Sequence, residues 1–452
     1  MLRIGSAQGF YGDDVLKALP MIKGGHVDVV CFEALAELTL AILQKDRLKD
    51  PARGFTWDIP IIAEKILPAA YAKHIPLITS GGGLNPTGAA DVVHAKAKQL
   101  GLHGLKIATV TGDDLLPRLS ELIAQGETLA NIETGEPLSL DGPPIVTASA
   151  YLGAFPIVEA LRAGADIVIT GRVADPCLYL APMIHRYGWH ADDWSRLASG
   201  IVAGHLLECT GQVVGGNSLA LVDEMEPEAL AHLGYPIAEV EEDGTFVLTK
   251  VPNTPGRVSV ETAKEQLLYE IHDPRSYITP DVIANFTTLK LTPDGPDRVR
   301  VTGVTGKPKT DSLKVNVGRF EGYSRELIFT IGWPKARRKA EQLAGMVQAA
   351  WKGLPLERCE IDYLGVNSLY GAIGQLPDDP LELAVRVSAI AKDPNTLKQA
   401  VRRMMALGLS GPAGMSVSGL TVGAEPRPLL GLWPALISRD TVQHHVELCE
   451  VE

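Results

Sequence analysis

Short apolar runs alternate with amphipathic stretches through the first half of the chain. Leu2–Ser6, His26–Phe32, Ile75–Thr79, Leu105–Thr111, Pro144–Ala148 and Asp166–Thr170 read as strands, several rich in β-branched residues and followed by Gly, Asp or Ser. Between them, Asp13–Ile22, Ile61–Lys73, Ala89–Leu100, Asp114–Ala124 and Phe155–Ala163 carry apolar residues at helical spacing, with Pro68 placed to kink the second. This rhythm predicts an α/β fold, a mostly parallel doubly wound sheet with helices on both faces. From about Thr245 the texture changes. Thr245–Val251, Arg298–Gly303, Ser312–Val317 and Arg325–Ile331 alternate apolar and polar residues, as an antiparallel sheet with one wet face does. Lys335–Trp351 and Pro380–Ala391 read as helices. A smaller α+β domain is therefore expected to follow, with residues 1–230 in the first domain and 231–452 in the second.

Composition narrows the class. The chain has 452 residues, 46% hydrophobic and 21% charged, which excludes a disordered chain and a small disulfide scaffold. A net charge of −12 gives no global drive toward nucleic acid or an anionic membrane. No run approaches the roughly 20 apolar residues of a membrane span, and Met1–Ser6 leads directly into a strand rather than a secretory leader. Cys31, Cys177, Cys209, Cys359 and Cys449 are odd in number and far apart, with no C-x-x-C. That usage predicts free thiols in a reducing cytoplasm and no metal site. No Walker loop, no G-x-S-x-G elbow and only a weak dinucleotide fingerprint are present, so no cofactor is expected. The expected partner is a small-molecule substrate, handled by a cytoplasmic homo-oligomer.

Ligands of an open α/β sheet dock beyond the carboxyl ends of the strands, so candidate chemistry is sought there. Glu33 follows an apolar strand and is the candidate general base; Glu37, one helical turn on, is either its partner or a solvated helix residue. In Ser80-Gly81-Gly82-Gly83-Leu84-Asn85, the candidates Ser80, Gly82, Gly83 and Asn85 either cradle a carboxylate or oxyanion or form a plain βα loop. Asp113 is either a catalytic carboxylate or a helix cap, and Thr147 lies at the fifth strand end. Arg172 either grips a substrate carboxylate or pairs locally with Asp175. His205, Glu208 and Cys209 share a helix face, as a reactive His–Cys pair or as buried structural residues.

Taken together, these blocks resemble the acyclic terpene utilisation family of AtuA-like proteins. The likeness rests on Gly9–Asp13, Phe32–Glu37, Leu105–Ala108, Val110–Asp114, Ala150–Ala154, Asp166–Pro176, Ala203–Cys209 and Glu265–Pro274. The resemblance implies a link to catabolism of citronellol-type and geraniol-type terpenes, where branched acids are processed as coenzyme A thioesters. It supplies no settled reaction and no catalytic residues. With that resemblance the reading is lyase- or hydratase-type chemistry, the small branched carboxylic acid or its acyl-CoA being the substrate that the resemblance implies. Glu33, His205 and Asp113 are its candidate catalytic groups. A hydrolase and a non-catalytic binding or scaffold subunit are the rivals.

Overall fold

The computed structural model describes residues 1–419 and 423–452. The chain divides into two compact units, one of residues 1–139, 146–317 and 432–452, the other of residues 140–145 and 318–431.

In the first unit the early apolar runs become β1 (Leu2–Gln8), β2 (Val29–Phe32), β3 (Leu77–Thr79), β4 (Lys106–Thr111) and β6 (Ile167–Thr170). They lie parallel in the order β1-β2-β3-β6-β4. Their near-continuous apolar character follows from burial on both faces. The two-residue period of a strand sends Val29, Cys31, Ile78 and Val168 into the core on one face. Val30, Phe32, Leu77 and Ile169 enter the core on the other. The helices Cys177–Tyr187 and Trp194–Glu208 cover the first face, and Pro86–Gln99 the second. Pro68 has no amide to offer, and the helical stretch widens to π geometry over Ile62–Ile66 just before it.

The sheet is nevertheless not the mostly parallel doubly wound sheet expected. The hairpin β7 (Pro236–Val240) and β8 (Phe246–Lys250) adds antiparallel to β1. Val299–Thr302 and Lys290–Pro293 extend that edge antiparallel, and His445–Glu450 closes the β4 edge antiparallel. The result is one mixed sheet of ten strands. A strand's period reports which faces are buried and not which edge it joins, so the later strands carried no mark of their destination. The predicted strand Pro144–Ala148 forms as β5 (Ile145–Ala150), but outside this sheet.

In the second unit, Arg358–Leu364, Glu382–Ala391 and Met415–Val417 pair antiparallel with the long strand Ser312–Gly332 or with one another. The helices Ala336–Trp351 and Pro394–Met405 pack on that sheet. Pro380–Ala391, read as a helix, is a strand instead. Leu383, Val385, Val387, Ala389 and Ala391 are buried while their neighbours are not. That period of two outweighs the helix propensity of Leu and Ala. All five cysteines are free, and no helix among the described residues is long and apolar enough to cross a membrane.

Two glycines test this packing. A Cβ on Gly82 would stand 2.6 Å from the Thr170 carbonyl oxygen and 2.9 Å from Pro86 Cα. Gly82→Ala is expected to cost about 1–3 kcal/mol. Gly345, inside Ala336–Trp351, has open space around it, and Gly345→Ala should stabilise by about 0.5–1 kcal/mol. Thermal unfolding of both variants checks the pair; a neutral Gly82→Ala contradicts the close approach.

Candidate functional site

The segments after β2, β5 and β6 meet at one guanidinium. Arg172 follows β6 and is 1% exposed. Its Nε donates to the Val173 carbonyl at 2.8 Å, its Nη1 to the Leu35 carbonyl at 2.5 Å, and its Nη2 to Asp175. Its guanidinium carbon lies 4.4 Å from the Tyr151 ring centroid. The Arg172 amide donates to Asp113 Oδ2 at 2.7 Å. Gly171 permits that approach, since a Cβ there would meet Asp113 Oδ1 at 2.3 Å. One hydrogen remains on each terminal nitrogen of Arg172 after these bonds.

Glu33, just beyond β2, is 5% exposed. Its Oε1 accepts from the Leu35 amide at 2.6 Å and the Ser80 hydroxyl at 3.3 Å, while Oε2 carries no hydrogen bond among the described residues. Burial pushes the Glu33 carboxyl up to about 8, against the opposing pull of Arg172. Burial likewise raises Asp113 to about 7, with the Asp114 charge adding to it. Glu37 goes the other way. Burial alone would raise it, but the Tyr151 hydroxyl donates to it at 2.6 Å and the Lys314 ammonium stands 3.2 Å away. Its carboxyl is held at about 2. Asn316 donates to the Tyr151 hydroxyl at 2.8 Å, and Lys314 Nζ lies 4.8 Å from the same ring centroid.

Glu33, Ser80, Asp113, Arg172 and Asp175 thus sit together. His205 does not join them directly. It is fully buried in Trp194–Glu208, with Nε2 2.9 Å from the Gln266 carbonyl and the rings of Tyr277 and Phe286 against it. Its Nδ1 stands 2.8 Å from Glu208 Oε1, an ion pair rather than an aligned hydrogen bond. Burial opposes a charge on His205, but the Glu208 carboxylate outweighs it and raises the ring's pKa. Glu208 in turn acts electrostatically on Glu33. Burial first, then the Glu208 charge, raises the Cys209 thiol, which disfavours a thiolate nucleophile.

The other predicted positions are occupied by structural tasks. Asn85 caps Pro86–Gln99 through the Gly88 amide and donates to the carbonyls of Ala52 and Arg53. The amides of Ser80, Gly81, Gly83, Leu84 and Asn85 all donate to protein oxygens. Gly83 adopts φ +54, which its neighbours Leu43 and Gly54 enclose. Thr147 is buried in β5. Lys314 and Asn316 gave no sequence signal, since they lie on an alternating strand far along the chain. Among the described residues no group of three or more His, Cys, Asp or Glu is placed to hold a metal ion.

A cleft of about 560 Å³ opens where β1 ends, lined in part by Gly9, Phe10, Lys17, Cys209 and Tyr235. A smaller cavity of about 270 Å³ lies at the amino ends of β1 and β2, and neither space is lined by Glu33, Asp113, Arg172 or His205.

The arrangement defines a mixed-sheet protein with a buried acid–arginine cluster at the strand ends. The chain belongs to the acyclic terpene utilisation family, AtuA, whose family model matches residues 2–448. Compared with curated proteins and with solved structures, the chain matches none.

The Glu33 carboxyl makes stability depend on pH. The unfolded carboxyl ionises near 4.5 and the folded one near 8, so the native state holds the extra proton between those values. Stability therefore falls as pH rises through that window, by up to about 1.4 kcal/mol per unit from this group. Glu33→Gln removes this group's share of the slope, leaving that of Asp113, and should gain melting temperature over wild type at pH 8.5 but not at pH 4.5. Parallel profiles for the two proteins contradict the shift.

Arg172→Lys keeps the charge but loses the fork. With Leu35, Val173 and Asp175 as partners, the loss is expected to be about 1.5–3 kcal/mol. Chemical denaturation of Arg172→Lys beside Asp175→Asn measures it; a wild-type midpoint for Arg172→Lys contradicts the bracing role.

Proposed function

We propose that the protein catalyses proton transfer beside a carbonyl, of the lyase or hydratase type, on a small branched carboxylic acid or its acyl-CoA. The observation that carries this reading is Glu33, a carboxyl raised to about 8 at the parallel strand ends with one oxygen unbonded among the described residues. A base poised near working pH is what abstraction of an α-proton needs. The remaining terminal hydrogens of Arg172 and the ammonium of Lys314 supply positive charge for a substrate carboxylate or a developing enolate oxygen. The cleft at the end of β1 gives room for a thioester arm; its walls include Gly9 and Cys209, chain neighbours of Gln8 and Glu208. Membership of the acyclic terpene utilisation family favours a branched substrate.

The test is hydrogen exchange at the α-carbon. Wild-type protein incubated in deuterium oxide with 3-methylbutanoyl-CoA should label that carbon, at a rate rising with pH until about 8. Glu33→Gln should lower the rate by about 10²–10⁴-fold. Equal rates for wild type and Glu33→Gln, or no label with either, reject Glu33 as the base for this substrate class.

A further inference from the structure

We propose that the second unit carries a binding pocket of its own, for an uncharged aliphatic molecule of about ten non-hydrogen atoms. The inference is independent of the proton-transfer reading. A cavity of about 260 Å³ lies where Ala336–Trp351 and the end of Pro394–Met405 meet the antiparallel sheet. Met346, Met404, Met405 and Met415 line it, four of the chain's eight methionines. The periods of the elements bring them together. On Ala336–Trp351 the buried stripe runs through Ala340, Leu343 and Val347, and Met346 borders it. On Pro394–Met405 the stripe runs through Leu397, Ala400 and Met404, and Met405 stands at its edge, 43% exposed. In the strand Met415–Val417, Met415 and Val417 pair with the buried Ile331 and Phe329, whereas Ser416 pairs with Thr330. Side chains alternate between the faces of a strand, so Met415 and Val417 face the helices and the Ser416 hydroxyl lies on the other side. The side chains of the pocket therefore offer carbon and thioether sulfur, with no charged group among the described residues.

Size and lining together name the occupant. Protein interiors close most voids larger than a water molecule, and this cavity is many times larger. An apolar cavity of about 150 Å³ stays dry and admits benzene, so on the same scale this one admits about ten non-hydrogen atoms. Phe329, Leu343 and Met404 form a buried floor, while the exposed Met405 leaves a way in from solvent. Methionine has three rotatable bonds and a polarizable sulfur, so four of them mould to an aliphatic chain without demanding one shape. A charged or strongly polar group placed inside would lose its water and gain no side-chain partner. One polar end is tolerated only at the mouth.

Methyl resonances of the full chain, labelled with ¹³C at the methionine methyl groups and assigned by single Met→Leu substitutions, test the pocket. Titration with 1-octanol should shift the signals of Met346, Met404, Met405 and Met415 to saturation. Those of Met21 and Met183, buried in the cores of the first unit, should stay in place. Octane-1,8-diol must put a hydroxyl inside and should bind about tenfold more weakly or worse. Leu407→Trp, which fills the cavity from its wall, should abolish the octanol shifts, with a melting curve confirming the fold. Should Leu407→Trp fail to fold, Met405→Glu at the exposed rim carries the comparison, and it should weaken octanol binding by about tenfold or more. Shifts spread over all the methionines, shifts that never saturate, or octanol binding that survives these substitutions overturn the pocket. Equal affinity for the alcohol and the diol overturns its apolar selectivity. The exchange assay on Glu33 stands apart from each of these outcomes.

Discussion

A guanidinium removed from water costs several kcal/mol unless its hydrogens and charge are met. Arg172 meets that cost with the carbonyls of Leu35 and Val173, the carboxylate of Asp175 and the face of Tyr151. Val173 and Asp175 lie on its own segment after β6, Leu35 follows β2 and Tyr151 follows β5, so satisfying one buried charge ties three segments together. The loop after β2, the turn after β6 and the segment after β5 are held in register by this side chain. Its own amide anchors Asp113 at the end of β4. The rest of the site takes its geometry from that constraint.

The same burial sorts the carboxyls into two populations. Glu33 and Asp113 lose water without gaining enough positive charge, and both titrate near neutrality. Glu37 keeps partial contact with solvent, accepts from Tyr151 and faces Lys314, so it stays ionised. Tyr151 lies between the two sets and remains a donor because burial raises its own pKa. A protonated or readily titrated acid beside a fixed cation suits proton transfer, whereas an ionised Glu37 suits positioning.

His205 and Asn85 show how a chemically suggestive residue settles into a supporting task. His205 has every side of its ring occupied, by Gln266, Glu208, Tyr277 and Phe286. Its partner Glu208 acts electrostatically on Glu33. Asn85 uses its amide and its carbonyl oxygen on the backbone around it.

The sequence alone determined the parallel centre of the fold, because strands buried on both faces must be largely apolar, and β2 is so throughout while β3 and β6 are so up to their last residues, Thr79 and Thr170. It also placed Glu33, Ser80, Asp113, Arg172 and Asp175 at strand ends, where turns of Gly, Ser and Asp are legible from local spacing. The outer strands, the strand at Glu382–Ala391 and the pairing of Glu37 with Lys314 were settled by tertiary structure. Local pattern reports burial and turns, while edge pairing and contacts between residues hundreds of positions apart depend on the packed chain.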